Sequence, residues 1–180
     1  AVAPSLVEPG GRVVVTGLDF APEAAVHFGP VPAASVSFLD SGHLSAVVPP
    51  DLAEGRYGIT VRNPDQLASS LPGALGVEWR PTITGVEPRE VERGESIHVR
   101  GAGFVPGTEL SFSGVPAASG FVSSDELTAF MPSPGPADGL VDIAVRKPLG
   151  SEASLAGALV LYPSPAGDGL VITGIIDGPR

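Results

Sequence analysis

Slid along itself by 84 positions, this 180-residue sequence repeats. The five letters "VPAAS" at residues 31–35 return at 115–119. Between residues 2–36 and 86–120 there are 15 identities in 35 positions, among them Pro4/Pro88, Val7/Val91, Gly10/Gly94, Gly17/Gly101, Phe20/Phe104 and Phe28/Phe112. Chance would give about two or three. Between 55–75 and 139–159 there are 10 identities in 21, including Gly55/Gly139, Ile59/Ile143, Val61/Val145 and Pro64/Pro148. In between, the shift drops to 83 (Leu44/Leu127, Pro49/Pro132) and returns to 84, as loops of slightly different length produce. The chain is a tandem duplication, and each copy is large enough to carry a core of its own.

Within each copy, short β-prone runs alternate with Gly, Pro, Asp and Ser, and helical periodicity is nowhere sustained. The first copy reads as strands near "RVVVTG", "AVHF", "ASVSF", "HLSAVV", "YGITVR" and "ALGVEW"; the second as "SIHVRG", "LSFS", "ASGFV", "ELTAFM", "VDIAVR" and "ALVLY". The 24 glycines and 20 prolines are spread between these runs as turn punctuation and are not gathered into a tract. Turns every 8 to 12 residues predict an antiparallel sandwich. Alternation points Val13, Val15, Ile59 and Val61, with Ile97, Val99, Ile143 and Val145 in the second copy, toward the interior, and Phe20, Phe28, Phe104 and Phe112 fill the space between sheets. "VPAAS" then marks a turn into a new strand: proline is tolerated at a strand start, and the small alanines allow close approach to the opposite sheet.

The fold class expected is all-β: two tandem immunoglobulin-like antiparallel β-sandwiches joined by a short linker, with an extra C-terminal strand. The first domain is placed at residues 1–80, the second at 81–163, and a tail with a β-prone strand at 164–180. The junction "EWRP" leaves almost no flexible linker, so Trp79, Arg80 and Pro81 are read as interdomain residues, with the Trp79 ring sealing the contact. A semi-rigid rod follows from so short a connection.

The pattern "PTITGVEPREVERGESIHVRGAGF…LSFSGVPAA…AFMPSP…VDIAVRKPLGSEASLAGALVLYP" resembles the IPT/TIG group of immunoglobulin-like domains, which carry a Pro-x-Ile opening strand and a Gly-x-x-hydrophobic-x-hydrophobic-x-Gly-x-x-Phe core. Both copies match, over roughly residues 1–162. The resemblance implies the sandwich fold. Its members include receptor ectodomains, bacterial and phage surface proteins, spacer domains of secreted starch-acting enzymes and dimerising parts of DNA-binding factors, so fold alone does not select a function. Two departures stand out. Ala1 corresponds to Gly85, so the counterparts of Pro81, Thr82, Ile83 and Thr84 are absent from the first copy; and Ile172-Thr173-Gly174-Ile175 near the C-terminus echoes Ile83-Thr84-Gly85-Val86.

A net charge of −10 disfavours nucleic acid, whose binding draws its affinity from clustered Lys and Arg. No run approaches a membrane span, and "AVAPSLVEPG" has no signal-peptide pattern, so neither membrane insertion nor a leader is expected from the residues given. With no cysteine, neither a disulfide framework nor a thiolate site is available. Lysine occurs once, at Lys147, and asparagine once, at Asn63, which reads as a coding bias. His27, His43 and His98 lack metal-ligand spacing and are read as solvent-facing or edge residues. No calcium loop, nucleophile elbow or phosphate-cradling loop appears, and "GAGFVPG" is the core Gly-x-x-Phe of the repeat. No cofactor, metal or catalytic residue is expected.

The function expected is that of a non-enzymatic structural or interaction protein, extracellular, on a cell surface or in a virion, with other protein subunits as partners. The alternative is a spacer or carbohydrate-binding accessory part of a secreted enzyme, with Trp79 and Tyr57 as aromatic contacts. Leu170, Val171, Ile172, Thr173, Ile175 and Ile176 are the candidate interaction residues: β-prone and uncharged, they are expected to add to a sheet edge, that of a neighbouring copy or host protein, with pairing inside the same chain and the start of a third repeat as the alternatives.

Overall fold

The computed structural model describes residues 1–163; the candidate interaction residues Leu170, Val171, Ile172, Thr173, Ile175 and Ile176 lie outside the described residues. The first copy forms β1 (Val2–Ala3), β2 (Leu6–Val7), β3 (Arg12–Thr16), β4 (Ala25–Phe28), β5 (Val31–Pro32), β6 (Ser35–Asp40), β7 (His43–Val47), β8 (Gly55–Arg62) and β9 (Ala68–Val77). The second forms β10 (Thr82–Glu87), β11 (Glu90–Val91), β12 (Ser96–Ala102), β13 (Glu109–Phe112), β14 (Val115–Ala117), β15 (Ser119–Ser123), β16 (Glu126–Phe130), β17 (Gly139–Arg146) and β18 (Glu152–Leu161). Each copy is a sandwich of a four-stranded and a five-stranded sheet: β1-β3-β7-β6 with β2-β9-β8-β4-β5, and β10-β12-β16-β15 with β11-β18-β17-β13-β14.

Most pairs are antiparallel, but the opening segment of each domain changes sheets and ends in a short parallel pair, Leu6–Val7 beside Gly76–Val77 and Glu90–Val91 beside Val160–Leu161. The change of sheet falls at Pro4 and Pro88, each preceded by a cis peptide bond. Each sandwich holds its own apolar interior. Val13, Val26, Phe28, Leu44, Ile59 and Leu75 centre the first; Ile97, Phe104, Phe112, Leu127, Ile143 and Leu159 centre the second. Strand alternation accounts for this directly: β3 and β12 both read exposed, buried, then exposed again along their length, the period of a strand with one face inward.

The repeated "VPAAS" is the crossing from one sheet to the other. Val31 and Pro32 pair with Phe28 and His27 at the edge of the five-stranded sheet, Ala33 N–H donates to the Val26 carbonyl in that sheet, and Ala34 N–H donates to the Val47 carbonyl in the facing one. Proline sits on the edge strand, where a lost donor costs no ladder bond. Alanine follows because the crossing chain packs against the core, as Ala33 and Ala117 both do.

The two copies differ at their opening strands. β10 pairs with β12 from Thr82↔Ala102 to Glu87↔His98, whereas β1 offers only Val2↔Val15 and Ala3↔Val14. Accordingly β12 runs seven residues and β3 five. Three of the four expected phenylalanines are buried; Phe20, whose counterpart Phe104 is 2% exposed, is only partly covered.

Candidate functional site at the interdomain junction

The domains meet end to end, and the contact is built on the chain's single lysine. Lys147 follows β17 at the start of the turn 147–151, which its own N–H closes by donating to the Ser151 carbonyl. Its side chain is wholly buried. Lys147 Nζ donates to Glu54 Oε1 at 2.9 Å, to Glu54 Oε2 at 3.1 Å and to the Trp79 carbonyl at 3.1 Å. All three acceptors belong to the far end of the first domain, so the ammonium's three donors are used in the crossing contact. Glu54 also accepts from the Trp79 N–H at 2.8 Å, which ties the linker to the loop before β8. A second strut runs beside it: Ser151 N–H donates to Oε2 of the buried Glu78 at 3.0 Å.

A buried charge is tolerated only when it is paired and hydrogen-bonded. Here the satisfaction is complete: among the described residues no buried side-chain nitrogen or oxygen lacks a partner. Such an arrangement holds in one relative orientation of the domains, because rotation would leave Lys147 or Glu78 without acceptors or donors in a dry site.

Trp79, Arg80 and Pro81 all lie at this junction, with roles that differ from a ring sealing the contact. Trp79 is 49% exposed, and its main chain carries the interaction, its N–H donating to Glu54 and its carbonyl accepting from Lys147. Arg80 lies on the surface, 3.5 Å from Glu8 Oε1. Pro81 is buried, and its Cα lies beside Gly103, where an added Cβ would approach the Arg80 carbonyl and Pro81 Cα at 3.5 Å. Lys147, Glu54, Glu78 and Ser151 were not singled out from sequence. One signal was there: within the matched frames Arg62-Asn63-Pro64 and Arg146-Lys147-Pro148, only the middle residue changes. Asn63 stays within its own domain, accepting from Ala21 N–H and donating to the Asp19 carbonyl in the connection between β3 and β4, while Lys147 reaches into the other domain.

A notch of about 820 Å³ opens on one side of the junction, lined by Leu6, Glu8, Glu78, Arg80, Gly150 and Glu152 among others. No histidine lines it, and Glu8 and Glu78 already have partners. His43 lies against Asp40 at 2.9 Å and His98 against Glu126 at 2.7 Å, both on the surface and far from the notch in sequence. The Asp40 carboxyl is held below its ordinary value by the His43 ring and by the Gly42 N–H. Among the described residues no group of three or more His, Cys, Asp or Glu is placed to hold a metal ion, and no helix is long and apolar enough to cross a membrane.

Two like sandwiches, each with immunoglobulin-like sheets and joined through a fully bonded polar contact, define a tandem immunoglobulin-like protein. The chain belongs to the IPT/TIG domain family, whose model matches residues 1–75 and 81–159. No curated protein sequence matches it. Among solved structures, it is similar to a surface glycan-binding protein of Prevotella bryantii (13% identity over 83% of this chain and 36% of that one, TM-score 0.48). It is similar also to one from the mixed-linkage glucan utilization locus of Bacteroides ovatus, in complex with a heptasaccharide (17% identity, 89% and 44%, TM-score 0.38). Murine CEACAM1b matches with 12% identity over 89% of this chain and 98% of its own, with a TM-score of 0.44. The chain spans less than half the length of the two bacterial structures.

Proposed function

We propose that this chain is a non-enzymatic structural or interaction protein: a semi-rigid two-domain rod in an extracellular or particle-surface assembly such as a bacterial surface fibre or a phage virion component. The carrying observation is the Lys147 contact, a wholly buried ammonium whose three acceptors all lie in the other domain. A spacer needs a fixed angle between its modules, and a buried, fully bonded charge supplies one where a flexible linker would not. The C-terminal segment Leu170–Ile176 is the part that pairs with a sheet edge of another subunit. Spin labels placed one in each domain, measured by double electron–electron resonance, should give a single narrow distance; a distribution as broad as that of a flexibly linked pair would remove the rod.

A second reading is contact with glycans, which the half-exposed Trp79 ring favours, since sugars stack on such faces. Polysaccharide pull-down that depends on Trp79 would support it, and equal retention of a Trp79→Ala variant would remove it.

A further inference from the structure

Two charged side chains are buried among the described residues, Lys147 and Glu78, and only the first has a counter-ion. Lys147 is paired with Glu54. Glu78 is 3% exposed, yet none of the ion pairs among the described residues includes it. Its one side-chain bond comes from the Ser151 N–H to Oε2. Every side-chain oxygen closed off from solvent has a partner, so Oε1, which has no donor, is where Glu78 meets the surface. The surface there is the interdomain notch that Glu78 lines. A carboxylate is almost never buried unless it is paired, because a single N–H does not replace the hydration that the charge loses. Nor does the repeat call for an acid at this place: the second copy has Tyr162, and a neutral glutamine would accept the Ser151 N–H as well. Glu78 Oε1 is therefore an acceptor for a donor that enters from solvent.

The surroundings select the donor. Glu8 and Glu152 line the same notch, against a single guanidinium, that of Arg80. Arg80 lies 3.5 Å from Glu8 and Arg146 lies 3.4 Å from Glu152, with all four side chains more than 40% exposed. These are weak surface pairs, and neither cation is paired with Glu78. Three carboxylates facing one guanidinium, in a chain of net charge −10, draw a cationic group toward the notch. A bare metal ion does not suit it, since among the described residues no group of three or more His, Cys, Asp or Glu is placed to hold one. Leu6 and Gly150, one from each domain, give the lining an apolar part, against which the methylene stem of a lysine or arginine packs. At about 820 Å³ the notch holds such a side chain together with the residues on either side of it.

We propose that the notch is the docking site for a lysine or arginine side chain of a partner subunit, whose ammonium or guanidinium donates to Glu78 Oε1 between the flanking carboxylates of Glu8 and Glu152. The inference rests on the assembly reading above and gives it a contact of stated chemistry. Glu8 and Glu78 come from the first domain, Ser151 and Glu152 from the second, so the site exists only while the domains are docked. An occupant that binds only the docked form stabilises that form, and the partner therefore holds the interdomain angle as well as the chain.

The test uses the full chain with a hexa-arginine peptide as the probe and hexa-glycine as its uncharged control, titrated by calorimetry at physiological salt, where exposed charges are screened more than buried ones. The unaltered chain should bind hexa-arginine and not hexa-glycine. Glu78→Gln, which keeps an acceptor for Ser151, should bind at least about ten-fold more weakly. Glu23→Gln removes the same charge from an exposed loop and should change affinity by less than about two-fold. Without peptide, Glu78→Gln should melt no lower than the unaltered chain, because an unpaired buried charge has become a neutral amide. A Glu8→Gln/Glu152→Gln chain, altered only at the rim, should bind more weakly with its interdomain spin-label distance unchanged. Equal affinity in the Glu78→Gln and Glu23→Gln chains would show attraction to the acidic surface alone and overturn the proposal, as would unchanged affinity in the rim variant or no binding at all. Calcium chloride, or a neutral glucan oligosaccharide, that raises the melting temperature of the unaltered chain but not of Glu78→Gln while hexa-arginine has no effect would give the notch a different occupant and overturn it too. Any of these failures with a narrow interdomain distance removes the notch contact and leaves the rod; a broad distance in the unaltered chain removes the rod itself.

Discussion

Lys147 shows how far one side chain can set the relation between domains. Its ammonium is wholly buried and has three bonds, so replacing it leaves Glu54 with only the Trp79 N–H and the Trp79 carbonyl without its donor. Lys147→Met keeps the stem and removes the charge; a cycle with Glu54→Gln should give a coupling energy of about 1–3 kcal/mol by chemical denaturation, well above the value for an exposed pair such as Arg80 with Glu8. The same variant should broaden the interdomain distance distribution. Asp40 offers a smaller, pH-dependent case. Its carboxyl is lowered by the His43 ring and the Gly42 N–H, so the stabilisation is present above the ordinary carboxylate value of about 4 and is lost as pH falls through the folded value. Asp40→Asn should lower the melting temperature slightly at neutral pH and flatten that part of the acid limb, so that the two melting-temperature series converge at low pH. The asymmetry between these two residues is one of burial. Charge repetition along the sequence carries no sign of it, which is why the lone lysine reads there as a coding bias.

At the scale of elements, the opening strand of each domain is the informative one. Gly101 belongs to the core pattern of both copies, but its reason differs between them. An added Cβ at Gly101 would run into the Thr82 carbonyl oxygen of β10 as well as the Phe104 ring, whereas at Gly17 only the Phe20 ring stands in the way. Gly101→Ala should therefore push β10 off β12 and destabilise the second domain by at least about 3 kcal/mol in equilibrium denaturation; Gly17→Ala, with a ring that can turn on a partly open face, should cost less. The edge strands β6 and β15 carry exposed apolar residues, Phe38 and Leu39 on one and Phe121 and Val122 on the other, yet each has a register irregularity against its neighbour. Such bulges twist an edge out of line and discourage indiscriminate pairing. Strand positions were legible in the sequence because period-two alternation reports a one-sided burial that each strand experiences locally. The parallel pairing of β2 and β11 was not, since it depends on the opening segment changing sheets, a choice made by packing across the sandwich.

For the whole molecule, the two cores are separate and the coupling between them is polar. Because Lys147 and Glu78 bridge from one core to the other, melting of the unaltered chain should be a single transition or two closely spaced ones, and Lys147→Met should separate them, read by calorimetry. What the sequence by itself determined is the duplication, the sandwich class and the inward residues, because repetition and alternation are properties of neighbours along the chain. Only the tertiary structure decided that a lysine with no local signature would be buried against Glu54, and that the opening segment of each domain would change sheets to pair in parallel with β9 or β18. Those outcomes depend on which surfaces meet once each sandwich has closed, and residues more than 90 positions apart carry no local pattern that announces they will touch.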